Sequence, residues 1–167
     1  EYPGMSGTNT ICVATVLLET GLVPMREPVT ELTLESPAGL IRVRAECAQG
    51  KVHRVTFRNV PAFAVHLDAP IEVPELGRIL VDVAYGGMFY VIADAAQLGL
   101  KVTPDEGRDI TRIGEMIRVA TVEQYPVSHP ENPEMTGPTI SQISAPSTNP
   151  KTHRRNAVVV ATGKLDW

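Results

Sequence analysis

The feature that most constrains the fold is an almost unbroken apolar segment near the start of the chain, residues 11–18. A hydroxyl group at Ser6 or Thr8 is suited to cap a helix that begins before this segment, and Gly21 is suited to end it. Such a helix is apolar on nearly every face until Glu19. Because a helix of this kind is stable in water only when its neighbours bury it on all sides, we expect a central helix wrapped by the rest of the fold.

The residues that follow predict the strands that would wrap this helix. Between residues 32 and 46, apolar residues alternate with polar or charged ones, and a turn at residues 49–51 leads into a further short strand at residues 52–57. The segment Arg58–Pro61 interrupts the alternation. We therefore place a domain boundary here, with a first domain of residues 1–59 and a second domain of residues 60–167.

The second domain combines apolar strands with the clearest helix signal of the chain. Segments 62–67, 78–85 and 88–94 contain continuous apolar stretches, which favour strands that are buried on both faces. Thr103–Glu106 has the pattern of a capping box with proline in the first turn, so we expect a helix from there to about Tyr125. The alternation of strands and helices predicts the mixed α/β (α+β) class.

Composition excludes several classes of function. The chain has 15 Lys and Arg against 19 Asp and Glu, and the resulting charge of −4 argues against a protein that binds a nucleic-acid backbone. No apolar run approaches the roughly 20 residues that a membrane span needs. The histidines have no metal-ligand spacing, so we expect no metal site. The two cysteines suggest no disulfide framework, so we expect a cytoplasmic protein. We expect Cys12 to be a small core residue.

The start of the first helix carries the best candidate for chemistry. We call Ser6, Gly7 and Thr8 the helix mouth. The free N–H groups of a first helical turn and the helix dipole favour an anion such as a carboxylate, which Gly7 and Thr8 would bind. Ser6 would then stand beside the α-carbon of the substrate as a proton carrier. The plainer interpretation, that Ser6 only caps the helix, stays open because serine is common at that position.

Several segments match motifs of one family along essentially the whole chain. The segment Pro3–Ile11 resembles the first catalytic motif of the proline racemase family, and Val81–Tyr90 resembles the family's Asp-hydrophobic-Ala-Tyr-Gly-Gly-X-Phe-Tyr stretch. The other matching segments are Val60–Phe63, Ile110–Pro130 and Val158–Ala161. The resemblance implies a fold similar to diaminopimelate epimerase, in which two similar domains each wrap strands around a central helix.

The resemblance also implies how such an enzyme works. The family uses no cofactor, and two acid/base residues, one from each domain, face each other across the α-carbon of a small imino acid. Members racemise proline, epimerise 4-hydroxyproline or dehydrate trans-3-hydroxyproline. Carried over to this chain, the first acid/base residue is Ser6, and Gly7 and Thr8 are substrate-binding residues.

Three departures from the family pattern shape the expected function. Ser6 stands where the family usually has Cys, Thr8 stands where it has a His that helps to hold the ring nitrogen, and the second catalytic motif is absent. We expect that motif beyond Trp167, so the fold would be incomplete at both ends and this chain alone inactive.

A serine hydroxyl is a poorer base than a thiolate, and an unequal pair suits a reaction that needs one base. We therefore prefer dehydration of trans-3-hydroxy-L-proline. Epimerisation of 4-hydroxyproline and racemisation of proline remain alternatives, as does a binding protein without activity. A homodimer is the assembly that we keep open.

Overall fold

A computed structural model describes residues 4–166 of the chain. These residues form two compact units that divide between Pro61 and Ala62. The first unit contains one helix and a three-stranded antiparallel sheet in the order β1-β2-β3. Its elements are α1 (Gly7–Glu19), β1 (Val29–Ser36), β2 (Gly39–Ala48) and β3 (Lys51–Arg58).

Helix α1 packs against β2 and β3 through a single face. Its buried residues are Thr10, Ala14 and Leu18, which are spaced four residues apart and therefore lie in one row along the helix. The alternation predicted for β2 is confirmed, because Ile41, Val43 and other residues of one face are buried beneath α1 while the intervening residues are more exposed. The helix ends as expected, with Thr20 as its last capping residue and Gly21 in the left-handed conformation.

The expectation that other elements bury α1 on all sides is wrong for the described residues. Ile11, Val13 and Val16 are 41%, 45% and 54% exposed, and Cys12, expected in the core, is exposed as well. The physical reason is that an apolar segment shows which residues favour burial but not how much cover is present. A three-stranded sheet has one face to offer, and one face covers one side of a helix.

The second unit is a six-stranded sheet with a helix packed on it and a separate hairpin. The sheet order is β11-β10-β9-β6-β5-β4, with β6 and β9 parallel and the other pairs antiparallel. The elements are β4 (Phe63–Val73), β5 (Gly77–Tyr85), β6 (Phe89–Asp94), α2 (Gly107–Gln124), β7 (Val127–His129), β8 (Asn132–Gly137), β9 (Ile140–Pro146), β10 (Arg154–Val160) and β11 (Lys164–Asp166). Helix α2 lies on the crossover that a parallel strand pair requires.

The start of α2 agrees with the sequence pattern. Residues Pro104–Glu106 form a short 3-10 turn that leads into the helix, and Thr103 precedes it as the N-cap. The Glu106 carboxylate accepts hydrogen bonds from the backbone N–H groups of Thr103 and Lys101, which satisfies donors that a helix start would otherwise leave free. The helix ends with Tyr125 as its C-cap, so the predicted range is confirmed.

The expectation that strands of this unit are buried on both faces is wrong. In β5, buried residues alternate with less buried ones, and Leu80 is 43% exposed between buried Ile79 and Val81. Helix α2 covers the buried face of the sheet, and Ile110 and Ile117 of that helix join the same buried cluster. The side chains on the opposite face are mixed in character, with charged Arg78 and Asp82 beside apolar Leu80 and Ala84, and they are less buried.

The architecture is therefore a sheet-rich, mixed α/β fold, and the predicted class is confirmed. In the described part of the chain, no helix combines the length and the apolar character needed to span a bilayer.

Candidate functional site

Ser6 is the N-cap of α1, and its hydroxyl is only weakly engaged. Its backbone is extended, with φ −127° and ψ 117°, and its Oγ accepts a hydrogen bond from the N–H of Asn9 at 3.5 Å. That distance exceeds the usual 2.7–3.2 Å range for N–H···O bonds. The prediction that Ser6 or Thr8 caps the helix is confirmed at Ser6. Because the cap is long and the side chain is half-buried, the hydroxyl can still donate to a molecule at the helix mouth.

The backbone of Ser6 is held much more firmly than its side chain. The Ser6 carbonyl accepts hydrogen bonds from the Thr10 N–H at 3.0 Å and from the Thr10 Oγ1 at 2.9 Å. Thr10 is one of the few buried polar residues within residues 4–166. The first turn of α1 is therefore fixed from inside, and the Ser6 side chain projects from a rigid base.

Packing and a backbone bond hold the residues before Ser6. The Gly4 carbonyl accepts a hydrogen bond from the Ala38 N–H, in the turn between β1 and β2, at 2.9 Å. Met5 is 6% exposed and joins a buried cluster with Ile41 and Val43 of β2. Pro3, part of the segment that matches the family motif, lies outside the described residues.

The helix mouth favours an anion. Within residues 4–166, the N–H groups of Gly7 and Thr8 have no hydrogen-bond acceptor, and the first turn contains no acidic residue that would compete for them. Free N–H groups and the positive end of the helix dipole attract a carboxylate or a small oxyanion. Thr8 is exposed and Gly7 is half-buried, so the first turn of the helix lies at the surface of this unit.

The Tyr-Gly-Gly stretch lies in the second unit, where β5 turns into β6. The Tyr85 ring lies 4.9 Å from the Phe89 ring and 4.7 Å from the His129 ring, measured between centroids. Burial raises the pKa of the Tyr85 hydroxyl, so it stays protonated and can donate. Nδ1 of His129 accepts a hydrogen bond from the N–H of Glu131 at 3.2 Å. Its ring contacts with Tyr85 and Phe63 make this histidine part of a packed aromatic cluster.

The described residues offer no metal site. Within residues 4–166, no three His, Cys, Asp or Glu side chains are grouped so that they could hold a metal ion. Cys47 is buried, and its sulfur lies 3.8 Å from the Thr30 Oγ1 inside the first unit. Neither cysteine contributes to the helix mouth.

Sequence reasoning missed the residues that support the helix mouth from below. Met5, Thr10 and Phe57 hold the turn, yet none carries a chemical signature that attracts attention. Phe57 lies on the strand predicted at residues 52–57, but the sequence does not indicate that its ring lies close to Gly7. A contact between a strand and a turn fifty residues earlier leaves no local trace in the sequence.

Comparison with known proteins decides the family. The family model described as proline racemase matches residues 1–167. The chain belongs to the proline racemase family. It is 36% identical to a crystal structure of a probable proline racemase from Agrobacterium radiobacter K84 with bound carbonate, with a TM-score of 0.89. The identity and TM-score are the same for a hydroxyproline epimerase from Agrobacterium vitis with bound trans-4-hydroxy-L-proline.

The chain spans about half the length of these relatives of the proline racemase family. Each alignment covers 97% of this chain and 47% of the other. A methylitaconate-delta-isomerase shares the fold at 14% identity, with a TM-score of 0.57. The resemblance stated from the sequence motifs is therefore confirmed at the level of the family and the fold.

Proposed function

We propose that Ser6 is an acid/base residue of a cofactor-independent enzyme that removes the α-proton of a hydroxyproline-type imino acid. The observation that carries the proposal is the helix mouth itself. In a proline racemase family chain, a weakly engaged hydroxyl stands beside two free N–H groups at the positive end of a helix. Gly7 and Thr8 would hold the substrate carboxylate, and the hydroxyl would face the carbon next to it.

Binding the carboxylate contributes to the chemistry as well as to affinity. Removal of an α-proton places negative charge on the carbon and, by delocalisation, on the carboxylate oxygens. Donors that already point to those oxygens stabilise this charge without rearrangement. One relative binds carbonate, an oxyanion, and another binds trans-4-hydroxy-L-proline, which carries a carboxylate group; both support a carboxylate as the group that the helix mouth holds.

Dehydration of trans-3-hydroxy-L-proline is the reaction that a serine at this position supports best. The base of the family's second motif would take the α-proton, and the electron pair would form a carbon–carbon double bond in the ring. The 3-hydroxyl would leave as water after accepting a proton, and the product would tautomerise to a cyclic imine. Ser6 would hydrogen-bond the departing hydroxyl and relay to it a proton from solvent water, so the serine regains its own proton and is not left as an alkoxide.

Epimerisation is the second candidate, favoured by the similarity to a hydroxyproline epimerase. It requires a proton to be removed on one face of the α-carbon and delivered on the other. Ser6 would then deliver or remove the proton on its face, a harder task for a hydroxyl than for a thiol. A protein that binds the imino acid without turnover is the alternative of another class.

The decisive experiment compares two variants of Ser6 in the full-length protein. Ser6→Asn retains the ability to cap a helix but has no hydroxyl, whereas Ser6→Ala loses both. For an acid/base role, both variants lower kcat by about 10²–10⁴-fold with the fold retained. If Ser6 only caps the helix, Ser6→Asn stays active and Ser6→Ala loses about 1 kcal/mol of stability.

Substrate specificity separates the candidate reactions. Deuterium incorporation at the α-carbon and water loss are followed for trans-3-hydroxy-L-proline, trans-4-hydroxy-L-proline and proline in D₂O. Ser6→Cys is expected to raise the ratio of epimerisation to dehydration, because it supplies a second thiol. An unchanged ratio removes the basis for preferring dehydration, and binding without deuterium incorporation in the wild type favours the binding protein.

A further inference from the structure

The first turn of α1 rests on the ring of one residue of β3. A Cβ atom built on Gly7 would lie 3.0 Å from Cζ of Phe57 and 3.7 Å from its Cε1. A separation of 3.0 Å is tighter than most contacts of a Cβ atom, so any larger residue at this position requires the ring or the turn to shift by a few tenths of an ångström. The edge of the ring therefore sets how far the turn can descend towards the sheet.

Phe57 is itself held in place. It is half-buried, it pairs with Val43 in the register of β2 and β3, and it packs on the cluster that contains Met5 and Ile41. The ring thus connects the core of the unit with the backbone that carries the free N–H groups. Strand β3 pairs with β2 on one side and lies at the edge of its sheet on the other. Within this unit, hydrogen bonds to a second strand therefore do not help to fix its position.

We propose that Phe57 is a positioning residue for the helix mouth, and that Gly7 and Phe57 act as a pair. The ring sets the height of the first turn, and with it the direction of the Ser6 hydroxyl and of the N–H groups of Gly7 and Thr8. The functional part of this inference rests on the proposed function. Its geometric part concerns the turn alone and can be measured without a substrate.

The first measurement therefore uses no ligand. The Thr10 N–H makes the first hydrogen bond inside α1, to the Ser6 carbonyl, so its hydrogen exchange reports on the turn. In Phe57→Leu, exchange at Thr10 is expected to speed up relative to Leu18 at the other end of the helix. The matched control is Val55→Ala, which removes apolar packing from the same face of β3 two residues away and should change both amides alike.

The second measurement tests the pair. Gly7→Ala forces the new methyl group against the Phe57 ring, and Phe57→Leu removes the ring atoms it meets. Gly7→Ala alone is expected to speed Thr10 exchange more than the same substitution in the Phe57→Leu background. The proposal is overturned if Gly7→Ala changes the Thr10 exchange rate by the same factor in both backgrounds. It is also overturned if Thr10 exchanges at the same rate in Phe57→Leu and in the wild type.

The third measurement connects position with catalysis in the full-length protein. Phe57→Leu is expected to lower kcat for α-proton exchange by about 10–100-fold, as for a small displacement of a catalytic group, with a smaller change in KM. Val55→Ala should leave kcat within about twofold of the wild type, because Val55 packs on the same cluster but is not among the atoms within 4 Å of a Cβ at Gly7. If the wild type lacks exchange activity at the α-carbon of the substrate, the proposed function fails. The Phe57 proposal is then decided by the hydrogen exchange of the Thr10 amide in Phe57→Leu and in Gly7→Ala with and without Phe57→Leu.

Discussion

At the scale of single residues, Ser6 and Cys12 show what position adds to residue type. Cys is usually among the most buried residues, and the expectation of a core thiol at Cys12 followed from that tendency. The structure places Cys12 on the exposed side of α1, while the less conspicuous Cys47 is buried beside Thr30. Ser6, in contrast, lies where the sequence predicted, because capping depends on local backbone geometry alone.

Thiol labelling tests the placement of the two cysteines. In the folded chain, one thiol is expected to react rapidly with an aromatic disulfide reagent, and the second only after unfolding by denaturant. Cys12→Ser should remove the rapid phase, and Cys47→Ser should remove the slow one. Two rapid phases in the wild type, or a rapid phase that survives Cys12→Ser, would contradict the described burial.

At the scale of elements, an ion pair links the end of α1 to the start of β3. The Glu19 carboxylate accepts hydrogen bonds from Lys51 Nζ at 2.7 Å and from the Val52 N–H at 2.9 Å. The hydrogen bond from Lys51 is the largest cause of a lowered Glu19 pKa, and the one from Val52 is the next. The charged carboxylate is therefore the form that the folded chain stabilises.

The sign of this shift gives a pH-dependent prediction. Because the pKa is lower in the folded state, the stabilisation is complete above the unfolded value, about 4.3, and is lost as the pH falls through the folded value. Glu19→Gln should therefore be less stable than the wild type at pH 7, with the difference shrinking below about pH 4. The measurement is urea unfolding at a series of pH values.

The matched control for this series is Glu123→Gln on α2. Glu123 is exposed and makes no ion pair with other residues of 4–166. Because Glu123→Gln removes a carboxylate without removing an ion pair, its profile is the reference for the change of residue type. A Glu19→Gln profile that is no steeper than this reference would show that the link between α1 and β3 contributes nothing measurable.

Helix α2 approaches its sheet closely at Gly114. A Cβ atom there would lie 2.7 Å from Cγ2 of Val159 and 2.8 Å from Oγ of Ser141, both in the interior of the sheet. Gly114→Ala is expected to destabilise the second unit by about 1–3 kcal/mol, because overpacking a rigid core outweighs the better helix propensity of alanine. Denaturant unfolding measures the change.

Gly107 provides the matched substitution on the same helix. The nearest atom to a Cβ at Gly107 is Cδ2 of Leu165 at 3.4 Å, an ordinary contact with a flexible side chain. Gly107→Ala should be neutral or stabilising by up to about 1 kcal/mol. If both substitutions have the same effect, helix propensity rather than close packing explains Gly114.

These elements also show what the sequence can predict. The start of α2 and the alternation of β2 follow from patterns a few residues long, so the capping residues and Ile41 were recognisable in advance. The one-sided cover of α1 and the contact between Phe57 and Gly7 depend on residues far apart in sequence. Both features depend on which residues from distant parts of the sequence lie against the helix, and no local sequence pattern contains that information.

At the scale of the whole molecule, the described chain contains separate buried cores on the two sides of Pro61. Ile41, Ala14 and their neighbours form clusters within the first unit, whereas Ile117, Val159 and their neighbours form the large cluster of the second. The domains of residues 1–59 and 60–167 stay a proposal, which these separate cores support. Separate cores allow each unit to open on its own.

Reciprocal core substitutions test this proposal. Ile41 and Ile117 are both fully buried, and truncating a buried isoleucine to alanine costs about 2–5 kcal/mol. Ile117→Ala is expected to speed hydrogen exchange at the β5 and β9 amides while leaving the β2 amides at the rate of the wild type. Ile41→Ala should produce the opposite pattern, so each variant serves as the control for the other. If either substitution speeds exchange in both units to the same extent, the chain opens as one cooperative body. The proposed boundary would then mark a change in sequence pattern without dividing the stability of the fold.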